Sequence, residues 1–351
     1  MTTNLQPASR ARAPGKVILS GEHAVVYGRP GLIMAVDLYA ETAITADRKK
    51  GLAFHLPDFT RSERFTPAEL QASFAAARER HEDFLRGRSS ILDVLSDPLD
   101  LISFAFLAVV GDCITDIASG VCVDFSMSIP AGCGLGGSAA AALSVAKAAA
   151  AFVGAALTDD ELFRHAMECE RLQHGNSSGA DPYACLHGGC VRFRKSMDDG
   201  TLPVQCRRLR LPSFPFYLVN TGTPLSSTGE CVEQVAHRFG NSSIWDDFES
   251  ATDVVEEALD GGDVAAFRCG VRRNHQLLER IGVVPARVSR FIADVEGQGA
   301  AAKVSGGGSM RGDAGGIILV AADSAPVDLC RAYGYSILDV SAEPEGVRLV
   351  E

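Results

Sequence analysis

The sequence predicts an α+β protein of two closely packed lobes. Its 351 residues suit one large domain or two packed lobes. Strand-like and helix-like runs are mixed without the regular alternation that a parallel, doubly wound sheet requires. Glycine-rich segments join these runs at three separated places, beginning near residues 13, 129 and 303. The expected lobes are residues 10–200 and 201–351.

The elements follow in order. Val17–Ser20 is a short apolar run between Pro14-Gly15 and Gly21, and reads as a strand. Leu32–Ala46 mixes β-branched and apolar residues and reads as one or two more strands. Thr66-Pro-Ala-Glu69 is a capping box that opens a helix over Phe65–Arg86. Leu99–Val110 reads as a buried helix. Val121, Val123, Phe125, Met127 and Ile129 alternate with other residues, as in a half-buried strand. Ser138–Ala156 and Asp160–Gln173 read as helices, and Gly188–Arg194 and Phe216–Thr221 as strands. The second half holds helices near Gly229–Phe239, Ile244–Leu259, Asp263–Ile281 and Ala286–Gln298. A strand, a glycine loop and another strand then fill Ala300–Val320.

Composition narrows the function classes. The apolar share of 46% and charged share of 22% are ordinary for a globular chain. A net charge of −11 argues against nucleic-acid or anionic-membrane partners. It does not argue against a nucleotide held by a few local donors. The ten cysteines are scattered, with no CxxC pair and no zinc spacing. They read as reduced thiols in a cytoplasmic protein without a structural metal. Met1–Arg12 is polar and lacks the apolar stretch of a secretory signal. No run of 18 apolar residues exists to span a membrane.

Ile129-Pro-Ala-Gly-Cys-Gly-Leu-Gly-Gly-Ser-Ala-Ala140 is the most informative stretch. Gly132, Gly134, Gly136 and Gly137 fall within six positions, between a strand and an alanine-rich helix. Glycines let backbone N–H groups approach an anion, and the helix start adds unpaired donors and a positive dipole end. Pro130, Gly132, Gly134, Leu135, Gly136, Gly137, Ser138 and Ala139 are the candidate phosphate cradle. Gly132-x-Gly-x-x-Gly137 also fits the dinucleotide pattern, but it lies far into the chain and a long helix follows. A Walker loop needs Gly-Lys-Ser/Thr, and Gly137-Ser138 lacks the lysine.

Three further segments accompany the loop. They are Ala13-Pro-Gly-Lys-Val-Ile-Leu-Ser-Gly-Glu-His-Ala-Val-Val-Tyr-Gly28, Glu170-Arg-Leu-Gln-His-Gly-Asn-Ser-Ser-Gly-Ala-Asp181, and Lys303-Val-Ser-Gly-Gly-Gly-Ser-Met-Arg-Gly-Asp-Ala-Gly-Gly316. In order and wording the four resemble the GHMP small-molecule kinases, and within them the mevalonate kinase family. The third glycine segment, with Thr228-Gly-Glu-Cys231, resembles a bacterial branch. The resemblance runs from about residue 11 to residue 320. It implies the two-lobed GHMP fold with the active site in the cleft, ATP and Mg²⁺ as cofactors, and mevalonate as the small-molecule partner. A homodimer is compatible with it.

The resemblance also implies residue roles. Asp181 would be the catalytic carboxylate, with Lys16 beside it holding it ionised. Ser138 and Glu170 would hold the metal. Lys16, Glu22, His23, His174, Ser178, Asp181, Thr228, Ser305 and Gly306 would face the acceptor, with Ser227 a rival to Thr228. Asp181 is expected in a Gly/Ser loop after the Glu170 helix. The chain departs from the family wording at Gly137, where a hydroxyl residue is usual, and at Ser177 and Pro182, but retains every proposed catalytic group.

Overall fold

The computed structural model describes residues 7–115, 120–175, 177–195 and 205–351. Two long strands, β1 (Ala8–Ser20) and β2 (Gly31–Ala46), form an antiparallel ribbon through the first lobe. Six short strands join them: β3 (Leu52–Leu56), β4 (Arg61–Phe65), β5 (Val121–Met127), β6 (Cys190–Arg194), β7 (Gln205–Leu209) and β12 (Arg348–Leu349). The order is β12-β1-β2-β5-β3-β4, with β6 also pairing β2 and β7 pairing β6.

Five helices belong to this lobe: α1 (Pro67–Leu85), α2 (Pro98–Val110), α3 (Gly137–Phe152), α4 (Asp159–His174) and α5 (Ala180–His187). Helix α3 lies against β1 and β2 and between α2 and α4. Ala139–Ala142, Ala146 and Ala148–Ala150 are all buried there. Side chains this small let the helix axis approach the sheet closely, which fixes where its N-terminus points. The capping boxes at Thr66 and Thr158 set the starts of α1 and α4.

The second lobe is a four-stranded antiparallel sheet in the order β11-β8-β10-β9. The strands are β8 (Tyr217–Asn220), β9 (Ala301–Ser305), β10 (Ile317–Ala321) and β11 (Ser336–Leu338). Helices α6 (Thr228–Phe239), α7 (Ile244–Gly261), α8 (Val264–Ile281), α9 (Ala286–Gly297) and α10 (Val327–Tyr333) complete it. Val304, Ile318 and Val320 pack with Phe248, Val288 and Phe291 in its core. Tyr27 of the first lobe stacks on Trp245 of α7, with ring centroids 4.0 Å apart.

Several elements differ from expectation. The loop expected to carry Asp181 is instead the first turn of α5, because Gly179 at φ 85° turns the chain and Pro182 is tolerated in a first turn. Strand β4 is polar and exposed, an edge strand without an alternating apolar signal. The expected lobe boundary at 200/201 lies outside the described residues. Strands β7 and β12 follow it in sequence yet belong to the first sheet. All ten cysteines are unpaired thiols. No helix among the described residues is long and apolar enough to cross a membrane.

Residues 341–350 strap the second lobe's last segment across the first. Glu343 N donates to Ala35 O at 2.9 Å, and Gly189 N donates to Glu343 O at 2.7 Å. Val347 N reaches Cys185 O at 3.0 Å, at the end of α5. Arg348 and the Tyr39 hydroxyl both donate to the Glu343 carboxylate. Gly346 sits so close that an added Cβ would lie 1.8 Å from Leu186 O. Gly346→Ala is therefore expected to lower unfolding free energy by about 2 kcal/mol or more, read by urea denaturation. An unchanged midpoint would show that the strap yields without cost.

Candidate active site

The loop between β5 and α3 is shaped by backbone conformation. Gly132, Gly134 and Gly136 have φ of 68°, 87° and 72°, a region that side chains rarely tolerate. Gly136 is also the N-cap of α3 and offers no side chain to its free N–H groups. Those donors, with the helix dipole, face the cleft as an anion site. Lys16 N donates to Leu135 O at 2.9 Å, docking β1 beneath the loop, and Ile317 N approaches Cys133 O at 3.3 Å from the other lobe. Cys133 itself is buried, and burial pushes its thiol pKa up.

Lys16 leaves β1 just past a register shift at Pro14/Gly15. Its stem packs on the loop: a Cβ on Gly136 would lie 2.8 Å from Lys16 Cγ. Lys16 is 2% exposed, and its Nζ lies 3.0 Å from Asp181 Oδ1. Asp181 stands in the first turn of α5, not in a loop, so a helix N-terminus also favours its negative charge.

Glu170 and His174 share one face of the last turn of α4, four residues apart. The Ser138 hydroxyl donates to Glu170 Oε1 and lies 3.3 Å from His174 Nε2. Glu170 is buried, and burial raises its pKa. A desolvated carboxylate beside a hydroxyl, at an anion site, is an all-oxygen donor set that suits Mg²⁺.

Two cavities meet here. The larger, about 330 Å³, is lined by Pro130, Gly132, Gly134–Ser138 and an apolar wall of Phe59, Leu101, Ile102, Phe125 and Met127. The smaller, about 140 Å³, is lined by Lys16, Glu22, His23, Glu170, Ser178, Gly306 and Gly307 among others. Gly134, His174, Asp181 and Thr228 border both.

The GHMP kinases N terminal domain matches residues 102–189, which hold the loop, Glu170 and Asp181. The mevalonate kinase of Archaeoglobus fulgidus is 27% identical over 300 residues, 85% of this chain and 88% of its own. That of Pyrococcus furiosus is 28% identical over 315 residues, covering 85% and 86%. The crystal structure of Methanococcus jannaschii mevalonate kinase superposes with a TM-score of 0.74 at 21% identity, over 97% of this chain and 99% of that one. The chain has the GHMP kinase fold. These relatives are archaeal, which does not support the bacterial-branch resemblance expected from the segment near residue 305.

Within the GHMP kinase cleft, the remaining expected residues divide. Thr228 borders both cavities, while Ser227 caps α6 through Glu230 N at 3.2 Å. The Ser178 hydroxyl accepts from Ala180 N at 3.3 Å, which leaves its own hydrogen free to donate into the smaller cavity. Ser305 is not among the residues lining either cavity, and its hydroxyl accepts from Ile18 N at 2.8 Å. Ala139 is buried behind the loop.

Glu22 and His23 bring in residues that motif reading passed over. Lys303, fully buried on β9, donates to Glu22 Oε1, and to Ile18 O and Val304 O at 3.0 Å each. Burial pulls the Lys303 pKa down, and Glu22 opposes that pull. Asn274 of α8 donates to Glu22 Oε2 at 2.9 Å and accepts from Ser20 and Gly21. A lone lysine or asparagine carries no sequence signal for such a role. An apolar sequence around Lys303, which must then find a partner, was the available clue. His23 has φ 60°, costly for a non-glycine residue. Its Nε2 donates to Gly307 O at 3.1 Å, and Nδ1 finds no partner among the described residues.

Two outcomes follow from these buried groups. Lys303→Met should cost roughly 3–5 kcal/mol, because Glu22 is left uncompensated. A double variant with Glu22→Gln should recover part of it, and strictly additive losses in denaturant melts would refute the coupling. Burial lowers the His23 pKa from 6.5 to about 4. The unfolded chain therefore holds more protons between those values, and stability falls as pH drops from 6.5 towards 4. His23→Gln should remove up to about 3 kcal/mol of that fall, measured as the difference between the two pH–stability curves.

Proposed function

We propose that the protein transfers the γ-phosphoryl group of ATP to the 5-hydroxyl of mevalonate, giving 5-phosphomevalonate and ADP. The reaction is the step of the mevalonate pathway that feeds isoprenoid precursor synthesis in the cytoplasm. The observation that carries the proposal is the Lys16–Asp181 pair at the junction of a nucleotide-sized cavity and a smaller one.

The triphosphate lies on the Gly132–Ser138 loop and the N-terminus of α3, with the base against the apolar wall of Phe59, Leu101 and Ile102. Ser138 and Glu170 would hold Mg²⁺, which would supply neutralising charge to the triphosphate. Asp181 accepts the proton that the acceptor hydroxyl loses. Lys16, 3.0 Å from Asp181, orients that carboxylate and stabilises charge growing on the transferred group. Phosphoryl transfer asks for little else beyond positioning and charge neutralisation.

The smaller cavity supports the choice of acceptor. Among its described lining residues Lys16 is the only lysine or arginine, against Glu22, Glu170 and Asp181. With Lys16 paired to Asp181, no second lysine or arginine among the described lining residues is left to hold a phosphate dianion, which disfavours an acceptor already phosphorylated. Ile18, Val25, Val26, Ile33 and Val232 present an apolar wall suited to a methyl branch rather than a sugar's hydroxyls. His23 and Ser178 border this cavity, and the Ser178 hydroxyl is a donor to a carboxylate.

A panel of mevalonate, phosphomevalonate, galactose and homoserine with ATP and Mg²⁺ should release ADP fastest with mevalonate. No mevalonate-dependent ADP would overturn the acceptor assignment. Asp181→Asn and Lys16→Met should fold and bind ATP while kcat falls by roughly 10³-fold. Near-normal turnover in either variant would remove the pair from the chemistry. Ser138→Ala should raise the Mg²⁺ concentration for half-maximal rate by roughly tenfold, read from a metal titration of the assay.

A further inference from the structure

The outer face of β5 carries a cluster that the phosphoryl-transfer site does not use. Val121, Val123 and Phe125 point into the core, so Cys122 and Asp124 point outward. Strand β3 runs parallel beside β5 and sets His55 opposite Asp124. His55 Nδ1 lies 3.2 Å from Asp124 Oδ1 and 3.7 Å from Cys122 Sγ, and that sulfur lies 3.6 Å from Asp124 Oδ2. One ligand atom from each residue falls within 4.8 Å of the other two.

Those separations have a meaning in coordination geometry. Zinc bonds of about 2.3 Å to sulfur and about 2.0–2.2 Å to nitrogen and oxygen, at tetrahedral angles, place sulfur about 3.6 Å from its neighbours and nitrogen about 3.4 Å from oxygen. The Sγ–Nδ1 separation of 3.7 Å is close to that spacing, and the Asp124 carboxylate faces both groups, with one oxygen toward each. We propose that His55, Cys122 and Asp124 form a surface site for a borderline-soft divalent cation of the Zn²⁺ class, with solvent at the fourth position. Thiolate and imidazole ligands select against Mg²⁺, which separates the site chemically from Ser138 and Glu170. His55 and Asp124 are about half exposed, so a hydrated ion can enter. The strand pairing holds all three in place before binding. Arg64, whose charge reaches Cys122, is neutralised by Asp47 at 2.5 Å.

Cobalt titration of the full, reduced, metal-free chain tests the site. Co²⁺ alone should give a saturable near-ultraviolet thiolate-to-metal band and intense visible bands of tetrahedral coordination, at one ion per chain. One equivalent of Zn²⁺ should abolish them. Cys122→Ser should lose the thiolate band, and His55→Asn and Asp124→Asn should weaken Co²⁺ binding by roughly tenfold or more. Cys269→Ser, at an exposed cysteine elsewhere, should change nothing. No saturable band in the parent chain, or a band that survives unchanged in all three variants, would overturn the proposal. It would leave a hydrogen-bonded surface cluster or a thiol elsewhere.

Discussion

The cleft depends on one constraint: three glycine segments must approach one another at backbone contact distance. The Gly132–Gly137 loop is clamped from below by β1, through Lys16 N and Leu135 O, and from the facing lobe by Ile317 N at Cys133 O. A Cβ on Gly134 would lie 3.3 Å from Ser305 O, one on Gly316 2.8 Å from Cys133 O, and one on Gly307 2.8 Å from the Thr228 hydroxyl. Side chains there would wedge the lobes apart. With them absent, elements from both lobes converge on a volume small enough for Asp181 to reach both cavities.

The polar groups behind this convergence form a second layer. Glu22, Lys303, Asn274, Ser20 and Thr252 are all buried and join β1 and the turn after it to α7, α8 and β9. The net gain from such a network is small, since desolvation offsets much of the Coulomb attraction. Its effect is geometric: with both carboxylate oxygens of Glu22 engaged, the turn carrying His23 is held in a backbone conformation it would not adopt alone. The lobes are thus registered by groups that tolerate neither loss nor slippage.

Much of this was legible in the sequence. The glycine loop, the capping box at Thr66, and the alternating strand before the loop follow from local rules that tertiary contacts here only reinforce. The two-lobed GHMP fold followed from four segments in order. Helix α5 was not legible, because Gly179 and Pro182 are loop signals whenever the first-turn tolerance of proline is not known to apply. Strand β12 pairs across more than 300 residues of sequence and is two residues long, so no local pattern marks it. Lys303 was legible only as an oddity, since its partner Glu22 lies 281 positions away. Ser305 shows a limit of motif reading: its segment marked it for the acceptor, while its hydroxyl accepts from Ile18 N and the residue lines neither cavity.

The strap of residues 341–350 bears on how the chain is made. Strand β12 pairs with β1, and Val350 N bonds Arg10 O at 2.9 Å, so an edge of the first sheet is closed by residues synthesised some 340 positions later. During translation β1 and α5 emerge early but lack their final neighbours until the whole second lobe has left the ribosome. The first lobe therefore cannot mature as an independent N-terminal unit, and the β1 edge stays open to wrong pairing for most of synthesis.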